Sequence, residues 1–268
     1  MSWIQPSTGD RMSHPDAIAQ MASGRVVLLG EQHDLPGDHR FQELALAGLA
    51  AHVPVLEVGF EMFPRFVQPI LDRWVSGRMS EAAFLQETRW EEVWGFPPEL
   101  YLPIFRVCRD LSLPMVALNV PRPLVSKIGR DGWSALPPED AGWFSPAVPA
   151  SAGYRRYLFE MTGGRRPDRK AQSPDDPAFD RFVRAQQVWD RSFACTIVER
   201  LAATPGAHIA GIIGRGHLEY RFGVVEQLAS LDVLDVIVAL PSKHAPEREE
   251  IADLSFVQGG NSHTVDAF

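Results

Sequence analysis

The chain has 268 residues, of which 45% are hydrophobic and 22% are charged, and these proportions are typical of a globular protein with one large or two small domains. A formal net charge of -8 argues against nucleic-acid binding, which needs a basic face, and no apolar run reaches the roughly 18 residues of a membrane span. Residues 1–11 contain no signal peptide, so the chain as written is predicted to be cytoplasmic, whereas a truncated N-terminus would allow a periplasmic or membrane-anchored protein.

Apolar runs alternate with helical periodicity along the first part of the chain, after the polar residues 1–10, which are predicted to be loose. The predicted elements are a short helix His14–Met21, strand Arg25–Leu29, helix Asp38–His52, strand Pro54–Phe63, helices Phe66–Val75, Ser80–Gln86 and Glu99–Ser112, and strand Pro114–Val120. This alternation predicts an α/β fold in which a mostly parallel sheet is flanked by helices in a Rossmann-like, three-layer arrangement.

The stretch 124–204 breaks the alternation, and we interpret it as a helical cap inserted over the ligand-binding edge of the sheet. It shows no convincing strand, and its helical patterns cover Leu124–Gly129, Pro138–Trp143, Gly153–Thr162 and Ala178–Ala203, with a polar loop at Gly163–Asp176. The α/β pattern then resumes with strand Ala207–Gly214, helix Tyr220–Leu231, strand Val233–Leu240 and a weak strand at Asp253–Val257. The predicted organisation is a core in two parts (25–123 and 205–257), the cap (124–204) and peripheral tails (1–24 and 258–268).

Polar side chains follow the predicted strands at the points where these end. Glu31 and His33 come directly after the first strand, Glu61 lies at the end of the second, and His217 follows the glycine-rich end of the fourth. Ligands of open α/β sheets bind at the carboxyl ends of the strands, so we expect these four side chains to converge in one pocket. Carboxylates with imidazoles either bind a divalent metal ion or act as a base and its orienting group.

Other interpretations of single residues stay open at this point. Glu31 could simply cap its loop, and Glu61 could form a salt bridge with Arg65. Arg122, which follows the third strand, could bind a carboxylate or phosphate through its planar fork or lie free on the surface. On the long helix, Gln186 is the polar exception in an otherwise apolar stripe, and it and Asp190, one turn beyond it, could reach the pocket.

Six short motifs occur in a fixed order along the chain. They are Gly30-Glu31-Gln32-His33, Gly59-Phe60-Glu61-Met62, Trp90-Glu91-Glu92-Val93-Trp94-Gly95, Asn119-Val120-Pro121-Arg122, Gln187-Val188-Trp189-Asp190 and Gly214-Arg215-Gly216-His217. With this ordered set the chain resembles the ChaN-like haem-binding proteins, which are grouped with the Tiki, TraB and erythromycin-esterase superfamily. The resemblance runs from about Val26 to Leu240.

This resemblance implies an α/β core with a helical cap and haem binding linked to the uptake or handling of haem and iron. It also implies a homodimer that holds a cofacial haem pair, and a tyrosine as the iron ligand. Tyrosinate is a known axial ligand of ferric haem. By position this role falls to Tyr154, with Tyr157 in reserve, and we assign Arg122, Trp189 and Asp190 to the same cofactor site.

The enzymes of the superfamily imply an alternative function. They place glutamates and histidines at the same strand ends, which here gives Glu31, His33, Glu61 and His217 the roles of metal ligands or catalytic residues. The chain would then be a metal-dependent hydrolase of the peptidase or esterase type. A third hypothesis is a non-catalytic protein with neither ligand. The chain departs from the resemblance in having no lipobox cysteine, since its first cysteine is Cys108.

Overall fold

A computed structural model describes residues 2–165, 168, 170–244 and 250–258, and these residues form one sheet of eight strands flanked by helices. The strands are β1 (Ser2–Ile4), β2 (Arg11–Met12), β3 (Val26–Glu31), β4 (Leu56–Pro64), β5 (Met115–Asn119), β6 (His208–Gly214), β7 (Val236–Ser242) and β8 (Leu254–Val257). Their order in the sheet is β2-β1-β8-β7-β3-β6-β4-β5. Strands β3 to β8 pair in parallel and only β1 pairs antiparallel, with β2 and β8, so the predicted mostly parallel α/β sheet is confirmed.

The helices cover both faces of this sheet. They are α1 (His14–Ser23), α2 (Pro36–His52), α3 (Gln68–Val75), α4 (Glu81–Glu87), α5 (Trp90–Val93), α6 (Leu102–Asp110), α7 (Arg122–Asp131), α8 (Ala152–Met161), α9 (Asp180–Ala203) and α10 (Val224–Ala229). Because side chains alternate along a strand, Val27 and Leu29 enter one core cluster while Val26 and Leu28 enter another. Helices α1, α2, α3 and α6 contribute to the first cluster and α9 and α10 to the second.

The N-terminal residues are a correction to the prediction of a loose segment. Strand β1 pairs with β8, and Trp3 is only 2% exposed. Its ring packs against Phe41 and Phe256 at centroid distances of 5.6 and 5.1 Å, and its indole donates a hydrogen bond to His14 Nδ1 at 3.0 Å. A three-residue strand is too short to show a period of two, so only its partner β8 reveals it.

The clearest further differences from the predicted elements lie at Pro138–Trp143, at the start of α10 and at the end of β7. Residues of the predicted helix Pro138–Trp143 form hydrogen-bonded turns, and α10 starts at Val224 because Tyr220 and Arg221 have left-handed φ angles of 59° and 58°. Strand β7 runs through Pro241 to Ser242, although the prediction ended it before the proline. Its pairing with β3 already stops at Ala239, so the proline breaks no hydrogen bond of that ladder.

The stretch 124–204 carries α7, α8 and α9, as the sequence indicates, but α9 also packs on the sheet. Phe193, Ala194 and Ile197 from its C-terminal half belong to the same core cluster as Val26 and Leu28 of β3. The division into core, cap and tails therefore stays a prediction, and residues 259–268 of the predicted C-terminal tail lie outside the described part of the chain. Within that described part, no helix combines the length and apolarity needed to cross a membrane.

Candidate functional site

The sheet topology brings the four predicted polar residues together. Strands β3, β6 and β4 are neighbours in that order and run in parallel, so their carboxyl ends meet at one edge. At this edge, the Nε2 atom of His217 lies 3.8 Å from Glu61 Oε1. A Cβ atom built on Gly214 would lie 2.7 Å from His33 Cε1 and 3.3 Å from Glu61 Oε2. The bare glycine at the end of β6 therefore allows the His33 imidazole and the Glu61 carboxylate to lie close to this strand end.

The first chain of hydrogen bonds at this edge, which we call the His33 relay, consists of His33, Glu31 and Tyr101. The Nδ1 atom of His33 lies 2.8 Å from Glu31 Oε1, and the Tyr101 hydroxyl donates to the same oxygen at 2.7 Å. Glu31 is 1% exposed. Burial favours its neutral form, but hydrogen bonds with His33 and His39 outweigh burial and lower the pKa of Glu31 to about 2. The buried carboxylate is therefore ionised and fixes the orientation of the His33 ring.

His39 supports this carboxylate from the other side. Its Nε2 atom donates to the His33 backbone carbonyl at 3.1 Å, and its Nδ1 atom lies 3.2 Å from Glu31 Oε2. Burial works against the charged form of both imidazoles. Interactions with Glu31 outweigh it and raise the pKa of His33 and of His39, and the charge of Glu61 adds to the effect on His33. Glu31 is therefore a buried anion at the edge of the sheet, and the raised pKa values of His33 and His39 favour their protonated forms.

The second chain, the His217 relay, consists of His217, Asp190 and Tyr154. His217 Nδ1 lies 2.6 Å from Asp190 Oδ1, and the Tyr154 hydroxyl donates to Asp190 Oδ2 at 2.7 Å. Burial disfavours the imidazolium, but the charge and the hydrogen bond of Asp190 outweigh burial and raise the pKa of His217 to about 9. His217 is therefore an imidazolium at neutral pH, and Asp190, which is completely buried, orients it.

Gly223 makes this second arrangement possible. It has a φ angle of +55°, and a Cβ atom at this position would lie 2.6 Å from the His217 carbonyl oxygen and 2.9 Å from Asp190 Oδ1. A side chain here would meet the backbone and the buried carboxylate at once, in a conformation that L residues rarely adopt. The glycine between the last 3₁₀ turn and α10 thus belongs to the structure of the site.

An open cleft of about 840 Å³ lies in front of the two relays, and we call it the sheet-end cleft. Its volume falls within the range of roughly 300–1,000 Å³ that is usual for small-molecule and cofactor sites. His33, Glu61 and His217 contribute to its polar lining. The apolar part of its lining includes Phe66, Trp94, Phe96, Val125 and Trp189, and its cationic residues are Arg89, Arg122 and Arg181.

The predicted cofactor residues occupy different positions relative to this cleft. Trp189 and Arg122 line it, and Arg122 also donates to the Val93 carbonyl at 3.3 Å. Asp190 lies behind His217 and does not line the cleft. Tyr154 is 1% exposed with its hydroxyl bound to Asp190, and the Tyr157 hydroxyl donates to Glu219 at 2.9 Å. Neither tyrosine lines the cleft, so iron ligation by either stays a prediction that requires breaking one of these hydrogen bonds.

The arrangement does not support the predicted site for a divalent metal ion. In residues 2–165, 168, 170–244 and 250–258, no group of three or more His, Cys, Asp or Glu side chains could hold a metal ion. The physical reason lies in the relays. Glu31 is turned away toward Tyr101 and His39, and the Nδ1 atoms of His33 and His217 are engaged by carboxylates. The same residue types that suggest metal ligands are here used to orient one another.

Sequence reasoning missed three contributors to the site. Tyr101 and His39 carry no signal in the sequence, because their roles depend on how α6 and α2 pack against the end of β3. Trp94 belongs to one of the six motifs, and its ring packs edge-on against His33 at a centroid distance of 4.7 Å. A pair of tryptophans beside acidic residues was the available signal for that aromatic wall.

Comparisons with known proteins show the family and the fold. Residues 17–228 match the family described as "Haem-binding uptake, Tiki superfamily, ChaN". The fold is similar to that of ChaN of Campylobacter jejuni, from a structure described as showing cofacial heme binding, with a TM-score of 0.76, 18% identity and 97% coverage of each chain. Comparison of the sequence with proteins of curated function gives no match.

Two further solved structures share the fold at greater distance. One is a mutant of the erythromycin esterase EreC in its open conformation, with a TM-score of 0.53, 14% identity, and coverage of 90% of this chain and 77% of that one. The other is the type III effector HopBA1, with a TM-score of 0.50, 8% identity and 90% coverage of each chain. At these identities the likeness shows the fold alone.

Proposed function

This chain belongs to the haem-binding uptake family ChaN of the Tiki superfamily, and from that premise we propose that it binds haem in the sheet-end cleft. The observation that carries the proposal is the lining of the cleft. Aromatic rings, including Trp94, Phe96 and Trp189, offer an apolar surface to a porphyrin, and arginines stand in the same cleft. This combination matches the chemistry of haem, which joins an apolar ring to two carboxylates.

The residues present fit such a ligand. Arg122 and Arg181 would bind the propionates through their planar guanidinium groups, since arginine pairs with carboxylates in a two-pronged geometry. Bound haem would supply iron as the cargo of an uptake or handling pathway. The likeness to Campylobacter jejuni ChaN, whose structure is described as cofacial heme binding, supports extending the proposal to a homodimer that holds two haems face to face.

Hemin titration is the direct test of this proposal. We expect a shifted Soret band that saturates at one haem per chain, and a change of the elution volume toward a dimer in size-exclusion chromatography. Gln186→Trp, which narrows the cleft, is expected to weaken binding at least tenfold, about 1.4 kcal/mol. Leu44→Trp places the same ring on an exposed part of α2 and serves as its matched control. An unchanged absorption spectrum at micromolar hemin would refute haem binding.

The two relays favour a second candidate, hydrolysis without a metal ion. Two imidazoles held by buried carboxylates stand close to Glu61, and a His217 imidazolium could donate a proton to a leaving group while Glu61 or His33 activates water. We expect any such esterase activity to survive EDTA and to fall roughly 100-fold or more in His217→Gln, as is usual for loss of a general acid. Turnover that EDTA abolishes, or that His217→Gln leaves intact, would exclude this candidate.

A further inference from the structure

We propose that the sheet-end cleft recognises a porphyrin through its ring and its propionates, independently of the metal, so that metal-free protoporphyrin is a ligand as well as haem. This inference rests on the proposed haem binding and extends it to the class of porphyrin dicarboxylates. Three parts of the cleft lining carry it: arginines without an acidic partner, neutral polar side chains without a hydrogen-bond partner, and exposed aromatic surface.

The cationic part of the lining comes from two helices that cross, α7 and α9. Arg122 and Ser126 of α7 are four residues apart and therefore share one face of that helix, and both line the cleft together with Arg181 of α9. A Cβ atom built on Gly129 would lie 3.3 Å from the Arg181 carbonyl oxygen, so the two helices approach closely at this point. The crossing therefore brings cationic residues of both helices into one cleft.

Two of the arginines that line the cleft have no anionic partner among the residues that the structure describes. Arg122 donates to the Val93 carbonyl at 3.3 Å, and no carboxylate lies within salt-bridge distance of Arg181. Arg89, the third arginine of the lining, is paired with Glu92. In a chain with a net charge of -8, two guanidinium groups that lack an acid and line a cleft indicate an anionic ligand.

Two neutral polar side chains of the same helices also line the cleft. They are Ser126 of α7 and Gln186 of α9, and neither has a hydrogen-bond partner in the described part of the chain. The hydroxyl and the amide can donate to carboxylate oxygens, and a guanidinium group has donors but no acceptor. Because Arg122 and Arg181 can only donate, they recognise the carboxylates of a porphyrin and offer nothing to its metal.

The aromatic part of the lining suits the porphyrin ring itself. Trp94 packs edge-on against His33 at a centroid distance of 4.7 Å, and Trp189 packs edge-on against His217 at 6.2 Å, so each relay has a tryptophan beside it. Phe66 also lines the cleft, although 55% of this residue is exposed. A porphyrin would cover apolar surface of this kind, and the area that it buries is the same with or without a metal at its centre.

These contacts require no change in the protein, whereas iron ligation by the predicted tyrosines does. The Tyr154 and Tyr157 hydroxyls donate to Asp190 and Glu219, and neither tyrosine lines the cleft. Ligation by either one needs a rearrangement, but the groups that bind the ring and the propionates already line the cleft. Binding of the porphyrin therefore precedes iron ligation and does not depend on it.

Fluorescence titration of the full-length protein with metal-free protoporphyrin IX, beside a hemin titration, tests this inference. We expect protoporphyrin IX to bind with an affinity within roughly tenfold of that for hemin, and its uncharged dimethyl ester to bind roughly tenfold or more weakly than the free dicarboxylate. Arg122→Gln and Arg181→Gln, both at exposed positions, should each weaken binding of protoporphyrin IX roughly tenfold and leave binding of the dimethyl ester unchanged. Arg130→Gln is the matched control, because this arginine of α7 pairs with Asp131 at 2.8 Å and does not line the cleft.

The outcomes separate this inference from the proposed function. Binding of protoporphyrin IX that weakens in both cleft variants, with their folding intact by circular dichroism, supports the inference. The inference is overturned if hemin binds and protoporphyrin IX does not, because the metal would then determine binding. It is also overturned if the dimethyl ester binds as tightly as the dicarboxylate, or if both cleft variants bind protoporphyrin IX like the unmodified protein. If neither hemin nor protoporphyrin IX binds, the proposed function fails together with the inference.

Discussion

Replacing Asp190 with alanine is expected to lower the free energy of unfolding by about 3 to 5 kcal/mol, the usual cost of removing one partner of a buried ion pair. Asp190 is completely buried, and its two oxygens accept from His217 and Tyr154 at 2.6 and 2.7 Å. Alanine leaves a buried imidazole and a buried hydroxyl without acceptors and opens a cavity between α9 and the end of β6. Equilibrium unfolding in urea at neutral pH measures the loss.

Asp180 on the same helix is the matched control for this prediction. It pairs with Arg155 Nη2 at 2.9 Å, but 42% of its side chain is exposed, so Asp180→Ala should cost about 1 kcal/mol or less. Asp190→Asn keeps the shape and one acceptor and should fall between the two. If Asp190→Ala and Asp180→Ala were equally stable, the His217 relay would not contribute to folding as the structure indicates.

The His217 relay also shows why recognition of a motif does not reveal the role of its residues. The sequence predicts that Asp190 could reach the pocket because it lies one turn beyond Gln186, the polar residue that interrupts an apolar stripe on a long helix. It could not show that Tyr154, on a separate helix, donates to the same carboxylate. That contact depends on how α8 packs against α9. The hydrophobic periodicity of a helix shows which of its faces is buried but not which other helix packs against that face. The tyrosine assigned to iron is therefore found supporting a histidine.

The strand ends were predictable for a different reason. Branched apolar runs that stop at Gly30 or Gly214 identify buried parallel strands, and parallel strands bring their carboxyl ends to one edge whatever their order in the sheet. The convergence of His33, Glu61 and His217 follows from that topology alone. The chemical role of these residues does not follow from topology. A carboxylate beside an imidazole can be a metal ligand or can orient the ring, and only the distances and directions between the groups distinguish the two roles.

Glu31 offers the second large effect, because it connects stability with ligand binding. Glu31→Ala removes the acceptor shared by His33 and Tyr101 and the anion beside His39. The expected loss in unfolding free energy is again about 3 to 5 kcal/mol, a large fraction of the roughly 5 to 15 kcal/mol that stabilises a typical domain. Glu31→Gln retains the volume and one acceptor oxygen, and it should lose about half as much.

The hemin affinity of Glu31→Gln then tests how the two roles are connected. If Glu31 orients the ring of His33, which lines the proposed haem cleft, this variant should stay folded at 25 °C and bind hemin roughly tenfold more weakly, about 1.4 kcal/mol. Glu99→Ala, in the exposed turn before Tyr101, is the control and should change neither property. If folded Glu31→Gln binds hemin with wild-type affinity, the negative charge of Glu31 is not needed for hemin binding. Glu31 would then contribute to the stability of the fold and not to the position of His33.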